Sequence, residues 1–88
     1  MPQITIYTTA TCSYCRRAKE LLRKKNLVFT EIPVDGDVEA RRAMMQKANG
    51  RMTVPQIFFD DLHIGGCDEL YELAADGKLD VLLADSAQ

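Results

Sequence analysis

The sequence has no tryptophan, only three cysteines, and no internal repeat or low-complexity tract in its 88 residues. Three cysteines cannot close a framework of paired disulfides, which argues against a disulfide-rich secreted domain and favours a reducing compartment. Met1-Pro2-Gln3 leads directly into the first predicted strand, which indicates no signal peptide. We therefore expect a cytoplasmic protein, or an organelle matrix or stroma protein whose transit peptide has been removed.

A strong net charge and a long apolar run are also missing. The 11 basic and 13 acidic residues give a net charge of −2, so no general attraction to nucleic acid or to an anionic membrane is expected. No apolar run approaches the roughly 20 residues that span a bilayer. Hydrophobic residues make up 47% of the chain, which is enough for one core. We expect a single domain over residues 1–88, with residues 85–88 as a frayed tail.

Apolar periodicity predicts the element order β-α-β-α-β-β-α-α. Strands are predicted at residues 3–8, 28–34, 56–60 and 62–65, and helices at residues 13–25, 37–48, 67–76 and 79–84. Asn26, Asn49-Gly50 and Gly77 are expected to end the first three helices. The first two strands should be parallel, with a right-handed crossover, and the last two should form an antiparallel hairpin that turns at Asp60-Asp61. This predicts an α/β fold with a four-stranded mixed sheet flanked by helices on both faces.

Helical spacing also predicts which side chains are buried. The candidate core positions are Ala18, Leu21 and Leu22 on the first helix, Val38, Met44, Met45 and Ala48 on the second, and Cys67, Leu70, Tyr71 and Ala74 on the third. Methionines at this spacing are interpreted as core rather than as a functional patch. His63, in the hairpin, is expected to face solvent rather than to act as a general base.

The most informative motif is Cys12-Ser13-Tyr14-Cys15, which lies between the first predicted strand and the first predicted helix. At a helix N-terminus this spacing puts both sulfurs on one face. Unpaired backbone N–H groups and the positive end of the helix dipole there favour a thiolate, which is the form that attacks disulfides or binds soft metals. We predict that Cys12 is the nucleophile and that Cys15, deeper in the first turn, is the resolving thiol.

The alternative for this motif is a pair of structural cysteines or half of a zinc site. A closed structural zinc site needs four ligands. Beyond the two motif cysteines, only Cys67 and His63 remain among the usual soft ligands, and both belong to other segments. Thiol–disulfide chemistry is therefore the favoured interpretation.

Three motifs together resemble those of the glutaredoxins, a dithiol family of the thioredoxin superfamily. They are Thr11-Cys12-Ser13-Tyr14-Cys15, Thr53-Val54-Pro55 and Gly65-Gly66-Cys67-Asp68, in the family's order and at its spacings. The resemblance covers residues 4–83. It implies a thioredoxin-like fold and a monomeric, glutathione-dependent oxidoreductase that reduces protein disulfides and glutathione mixed disulfides without an obligate metal.

The resemblance also implies a glutathione site. Pro55 is expected to be cis, which would turn the backbone N–H and C=O of Val54 toward Cys12 so that a peptide-like substrate pairs with them as an added strand. The N–H groups of Cys67 and Asp68 would hold the γ-glutamyl carboxylate, as helix N-termini hold anions. The carboxylate of Asp68 would pair with the γ-glutamyl ammonium, and Gly66 would let the backbone approach the ligand closely. The side chain of Cys67 is expected to pack in the core.

Three further residues are assigned to glutathione by resemblance. Arg42, eleven residues before Thr53, matches the position that meets the glycine carboxylate, which suits a guanidinium. Tyr14 would flank the tripeptide with its ring, and Thr53 belongs to the substrate-pairing segment. The alternatives are a solvated helix arginine, which Arg41 is expected to be, and a surface tyrosine.

The chain departs from the family pattern at two positions and leaves two rival functions open. Thr9 stands where many members carry a lysine, and Ser13 where many carry a proline. Members without that proline more often bind a [2Fe–2S] cluster in a dimer, held by two Cys12 thiolates and two glutathione thiolates. The other rival is a redoxin reduced by a dedicated reductase such as thioredoxin reductase, against which the predicted glutathione site argues.

Overall fold

The computed structural model describes residues 2–86, and the predicted element order is confirmed. The strands are β1 (Ile4–Thr8), β2 (Phe29–Pro33), β3 (Gln56–Phe59) and β4 (Leu62–Gly65). The helices are α1 (Ser13–Lys24), α2 (Val38–Lys47), α3 (Cys67–Ala75) and α4 (Lys78–Ser86). The predicted frayed tail began at residue 85, but α4 continues through Ser86. The last two positions of that predicted tail lie outside the described residues.

The four strands form one mixed sheet in the order β2-β1-β3-β4. β1 pairs in parallel with β2 and antiparallel with β3, and β3 and β4 form the antiparallel hairpin. Tyr7, near the end of β1, lies opposite Gln56, the first residue of β3. This register brings the segment that follows β1 next to the segment that precedes β3, and the cysteine motif and Thr53-Val54-Pro55 lie in these two segments.

Buried side chains form one cluster on each face of the sheet, as predicted. Ile4 and Ile6 of β1 belong to the cluster that α1, α3 and α4 cover. Tyr7 points to the other face, where Met44 of α2 packs, because successive strand residues alternate in direction. Full burial of each large apolar side chain contributes about 1.5–3 kcal/mol, so these clusters hold the helices in place around the sheet.

The predicted helix ends are confirmed. Asn26, Asn49 and Gly77 all have positive φ, at 60°, 56° and 74°. Asp37 directly precedes α2, and its carboxylate accepts a hydrogen bond from the N–H of Ala40 at 3.0 Å. Such a cap satisfies one of the unpaired N–H groups of the first turn.

Two predicted core residues are wrong. Val38 is 71% exposed, because it lies roughly 100° around the helix from the buried side of α2, which contains Met44 and Ala48. Tyr71 is 43% exposed. Its hydroxyl donates to the carbonyl of Arg17 at 3.2 Å, so the ring lies along the junction of α3 and α1 and not inside it.

Over residues 2–86, none of the helices combines the length and apolar character that a membrane crossing requires.

Candidate active site

Cys12 directly precedes α1 and caps its N-terminus. Its backbone is extended, with φ −86° and ψ 112°, and its Sγ accepts a hydrogen bond from the N–H of Cys15 at 3.1 Å. This bond satisfies a first-turn donor that has no partner within the helix. It also points a backbone dipole at the sulfur, where it would stabilise negative charge.

The second contact of the Cys12 sulfur is with the segment that precedes β3. The Sγ of Cys12 lies 3.7 Å from the carbonyl oxygen of Val54, to which the thiol donates. The Val54-Pro55 peptide bond is cis, as expected by resemblance. The carbonyl of Val54 therefore lies against the Cys12 sulfur, as the resemblance implied.

The three cysteines, all unpaired, differ in exposure. Cys12 is partly exposed, whereas Cys15 is 1% and Cys67 is 6% exposed. Burial, together with the neighbouring Cys12 sulfur, raises the pKa of Cys15 to about 12. Burial and the charge of Asp68 raise the pKa of Cys67. Cys12 is therefore the thiol that a substrate can reach, and Cys15 stays protonated behind it.

An open groove brings together most of the predicted glutathione-binding residues; Cys12 is not part of its lining but contacts it through the carbonyl of Val54. Its lining includes Tyr14, Thr53, Val54, Pro55, Gly66, Cys67 and Asp68. The first of these comes from α1, the next three from the segment before β3, and the last three from the start of α3. The groove thus has an extended backbone on one side and a helix N-terminus on the other, an arrangement that suits a short peptide with a carboxylate.

The two adjacent arginines of α2 are placed differently from each other. Arg42 is exposed and is not part of the groove lining. Arg41 was expected to be solvated, but it is half-buried and its Nη1 donates to the carbonyl of Met52 at 3.3 Å. Neighbouring positions on a helix point about 100° apart, so only one of the two can face the 51–53 segment. The assignment of Arg42 to glutathione stays a prediction.

Arg51 and Glu69 also line the groove and were not singled out from the sequence. The Oε1 of Glu69 accepts from the backbone N–H of Gly66 at 2.9 Å and pairs with the Nη1 of Arg51 at 2.8 Å. The Gly66 bond, and then the Arg51 bond, hold the pKa of Glu69 below its ordinary value. A glutamate three residues after the residue that precedes a helix, here Gly66, is the signal that could have identified this cap.

The paired glycines make room for these contacts. Gly65 has a φ of 119°, and a Cβ at this position would collide with the Glu69 carboxylate. A Cβ on Gly66 would lie 3.3 Å from the carbonyl oxygen of Pro55, tighter than ordinary van der Waals contact. Glycine at both positions therefore lets the connection between β4 and α3 lie against the Glu69 side chain and the Pro55 backbone.

Gln56 and His63 lie behind the groove, and the expectation for His63 was wrong. Gln56 is fully buried, and its Nε2 donates to the carbonyl and to the hydroxyl oxygen of Thr53, at 3.0 and 3.2 Å. His63 is half-buried, and its Nε2 lies 2.6 Å from the Oε1 of Gln56. The strand period allowed either face for His63, and the buried amide of Gln56 fixes its actual partner.

The sequence left a zinc site as an alternative for the cysteine pair. Across residues 2–86, no three histidine, cysteine, aspartate or glutamate side chains converge as a metal site would require. Cys15 instead packs in the first turn of α1, and its N–H serves the sulfur of Cys12. This geometry suits two thiols that react with each other.

Comparison with known proteins gives consistent matches. Residues 4–64 match the family model of glutaredoxin. Over 83 residues the chain is 57% identical to glutaredoxin 3 of Escherichia coli, and the aligned residues make up 94% of this chain and 99% of that protein. The solution structure of glutaredoxin from Brucella melitensis is similar with a TM-score of 0.82 at 48% identity, covering 94% of this chain and 89% of that one. The crystal structure of a buckwheat glutaredoxin–glutathione complex gives a TM-score of 0.83 at 31% identity, covering 96% and 78%.

Proposed function

The chain belongs to the glutaredoxin family of oxidoreductases, and we propose that it uses glutathione to reduce protein disulfides and glutathione mixed disulfides. The observation that carries this proposal is the position of Cys12. Its sulfur accepts a hydrogen bond from the N–H of Cys15 at the N-terminus of α1. The same sulfur contacts the carbonyl of Val54, a residue that lines the open groove. One accessible sulfur thus lies next to a surface that suits a peptide.

With a glutathionylated protein, Cys12 alone carries out the exchange. The Cys12 thiolate attacks the sulfur of the glutathionyl group, forms a Cys12–glutathione disulfide and releases the protein thiolate, which takes up a proton. The thiolate of a second glutathione then attacks the glutathionyl sulfur of this adduct. Oxidised glutathione leaves and the Cys12 thiolate is restored, so each cycle consumes one free glutathione and joins it to the glutathionyl group taken from the substrate.

With a disulfide inside a protein, Cys15 completes the reaction. Cys12 attacks one substrate sulfur, and the other leaves as a thiolate. Part of the rise in the pKa of Cys15 comes from the Cys12 sulfur, so the mixed disulfide at Cys12 makes Cys15 easier to ionise. The Cys15 thiolate then attacks the Cys12 sulfur, frees the second substrate thiol and leaves a Cys12–Cys15 disulfide that two glutathiones reduce.

Glutathione is proposed to lie along the groove in an extended form. Its cysteine residue would pair with the Val54 backbone, and its γ-glutamyl carboxylate would accept from the N–H groups of Cys67 and Asp68. The N–H of Gly66 already donates to Glu69. Gly66 would therefore let the backbone approach the ligand closely without donating a hydrogen bond to it. Asp68 would bind the γ-glutamyl ammonium, Arg42 would reach the glycine carboxylate, and Tyr14 would cover the tripeptide.

The [2Fe–2S] carrier remains the rival proposal. Among residues 2–86, Cys12 is the one cysteine that is not buried, so each chain would supply Cys12 and two glutathiones would supply the other thiolates. A cluster there would add a binding function, and no step of the proposed exchange passes through it. Visible absorbance and a dimer after anaerobic reconstitution would support this rival. A colourless monomer would contradict it.

Turnover of a glutathionylated peptide tests the proposed function. We expect steady turnover with glutathione and glutathione reductase, and little when thioredoxin reductase is the only source of electrons. The proposed partners are therefore glutathione and disulfide-containing or glutathionylated proteins, in the reducing cytoplasm where glutathione is kept reduced. Equal or faster turnover with thioredoxin reductase would contradict the glutathione dependence and favour the dedicated-reductase alternative.

A further inference from the structure

A hydrogen-bonded path runs from β4 to the groove and takes no part in the exchange steps above. It joins His63, Gln56 and Thr53 in that order. Gln56 spans the 53–55 loop, here defined as Thr53-Val54-Pro55, because its side chain returns to the residue three positions before it. The Val54 carbonyl in this loop lies 3.7 Å from the Cys12 sulfur.

The donors and acceptors of the path can be assigned. The amide nitrogen of Gln56 has two hydrogens, and both Thr53 contacts are with acceptor oxygens when the backbone carbonyl and the hydroxyl accept. The Gln56 Oε1 is then an acceptor, so the Nε2 of His63 carries the hydrogen that it receives. This places a hydrogen on Nε2 by the hydrogen-bond pattern alone. Burial, and then the charge of Arg51, lower the pKa of His63, against the opposing charge of Glu69.

Packing fixes the direction of this donor. His63 lies opposite Phe58 in the hairpin, and the two rings stack with centroids 5.0 Å apart. Phe58 is 4% exposed and meets Tyr7 edge to face at 5.7 Å, so it is itself held by the core. The imidazole is thus fixed by one ring and aimed at one amide oxygen, which is what a positioning group requires.

We propose that His63 is a positioning residue that, through Gln56, holds the 53–55 loop in the conformation that receives glutathione. This proposal rests on the proposed function and deepens it. If the His63 donor is removed, the fully buried Gln56 oxygen has lost its partner, and the amide has reason to turn and give up its bonds to Thr53. The loop then loosens beside Cys12, while the Cys12–Cys15 contact at the start of α1 stays as it is.

Three variants of this path separate positioning from simple packing. His63→Phe keeps an aromatic ring against Phe58 and removes the donor. His63→Gln loses the ring and offers an amide N–H at similar reach. Gln56→Leu removes the middle of the path at similar size and serves if His63→Phe does not fold. Leu62→Ala, at an exposed position of β4, controls for general disturbance of the hairpin.

Steady-state kinetics with a glutathionylated peptide gives the first measurement. We expect His63→Phe and Gln56→Leu to raise KM by roughly 3- to 10-fold, the scale of one lost buried hydrogen bond, with kcat nearly unchanged. His63→Gln should restore most of the KM, and Leu62→Ala should not change it. An unchanged KM in both His63→Phe and Gln56→Leu would overturn the proposal, as would an equal rise in His63→Phe and His63→Gln.

Amide hydrogen exchange in the reduced, ligand-free protein gives a second measurement that does not depend on glutathione. We expect faster exchange at Gln56, the first residue of β3, in His63→Phe, with the α1 amides unaffected and with restoration in His63→Gln. Unchanged exchange at Gln56 would overturn the proposal. If the wild-type protein fails to turn over the glutathionylated peptide, the proposed function fails, and the exchange measurement still decides whether His63 holds the loop.

Discussion

The carboxylate of Glu69 accepts a 2.9 Å hydrogen bond from the backbone N–H of Gly66. This bond fixes the chain at the point where β4 ends and α3 begins. The next two backbone N–H groups, of Cys67 and Asp68, are those proposed to hold the γ-glutamyl carboxylate. A side chain that does not touch the ligand in this proposal therefore determines how the donors for that ligand are presented.

Removal of this cap should affect stability and glutathione binding together. Glu69→Ala loses the bond to Gly66 and the pair with Arg51, and we expect a loss of about 1 kcal/mol in the free energy of unfolding. Glu69→Gln keeps an acceptor for Gly66 and should lose much less, because the ion pair is partly exposed and such pairs contribute little. Urea unfolding and calorimetric titration with glutathione measure the two effects. Equal losses in both variants would assign the effect to charge rather than to the cap.

The two active-site cysteines should separate in their substrates. We predict that Cys12→Ser abolishes activity on glutathionylated peptides and on protein disulfides, because no other exposed thiol lies at the groove among the described residues. Cys15→Ser should keep deglutathionylation and lose the reduction of protein disulfides, because resolution needs the second thiol. Parallel assays with one substrate of each kind check this. Equal loss of both activities in Cys15→Ser would contradict the assigned roles.

The element order and the cysteine motif were predictable because their signals are local. Ile4 and Ile6 show the strand period, and Asn26 and Gly77 mark helix ends through the positive φ that they adopt. The cis bond before Pro55 followed from the resemblance rather than from any local pattern. Local signals and a family motif together are therefore enough to place Cys12 at the N-terminus of α1.

The contacts that were missed all depend on how elements face one another. Val38 was assigned to the core because an apolar residue at the start of a helix does not reveal which side faces the sheet. His63 was assigned to solvent because the burial of Gln56 is not visible from alternation alone. Arg51 stands in a segment without periodicity, and it becomes part of the site only when α3 brings Glu69 to it. In each case the packing of one element against another decides which side chain is buried or paired, and the sequence pattern alone does not distinguish the possibilities.

Low pH should weaken the hydrogen bonds that the Glu31 carboxylate makes with Thr8, at the end of β1, and with Lys19 of α1. Glu31 of β2 accepts from the hydroxyl of Thr8 at 2.7 Å and from Lys19 at 2.9 Å, and these bonds, Thr8 first, lower the pKa of Glu31. A lowered folded-state pKa means that the contribution to stability is present above the ordinary glutamate pKa. It is lost as the pH falls through the folded-state value.

The corresponding variant is Glu31→Gln. We expect a lower free energy of unfolding than in the wild type at neutral pH, and a difference that shrinks as the solution becomes acidic. Glu20→Gln, at an exposed position of α1, makes the same change in charge and serves as the control. Chemical unfolding over a series of buffers measures this. A difference between Glu31→Gln and the wild type that stays constant into acid would contradict the role of the ionised carboxylate.

The two neighbouring arginines of α2 provide a matched pair for the glycine end of glutathione. If the exposed Arg42 meets the glycine carboxylate, Arg42→Ala should weaken glutathione binding by about 2- to 5-fold, the scale of one exposed charge pair of about 0.5–1 kcal/mol. Wild-type protein should then bind glutathione more tightly than its glycine-carboxyl ester, and Arg42→Ala should remove that preference. Arg41→Ala loses the bond to the Met52 carbonyl and should keep the preference, whatever it does to stability. If Arg42→Ala keeps the full preference for the free carboxylate, Arg42 is not part of the site. If only Arg41→Ala loses that preference, Arg41 makes the contact instead.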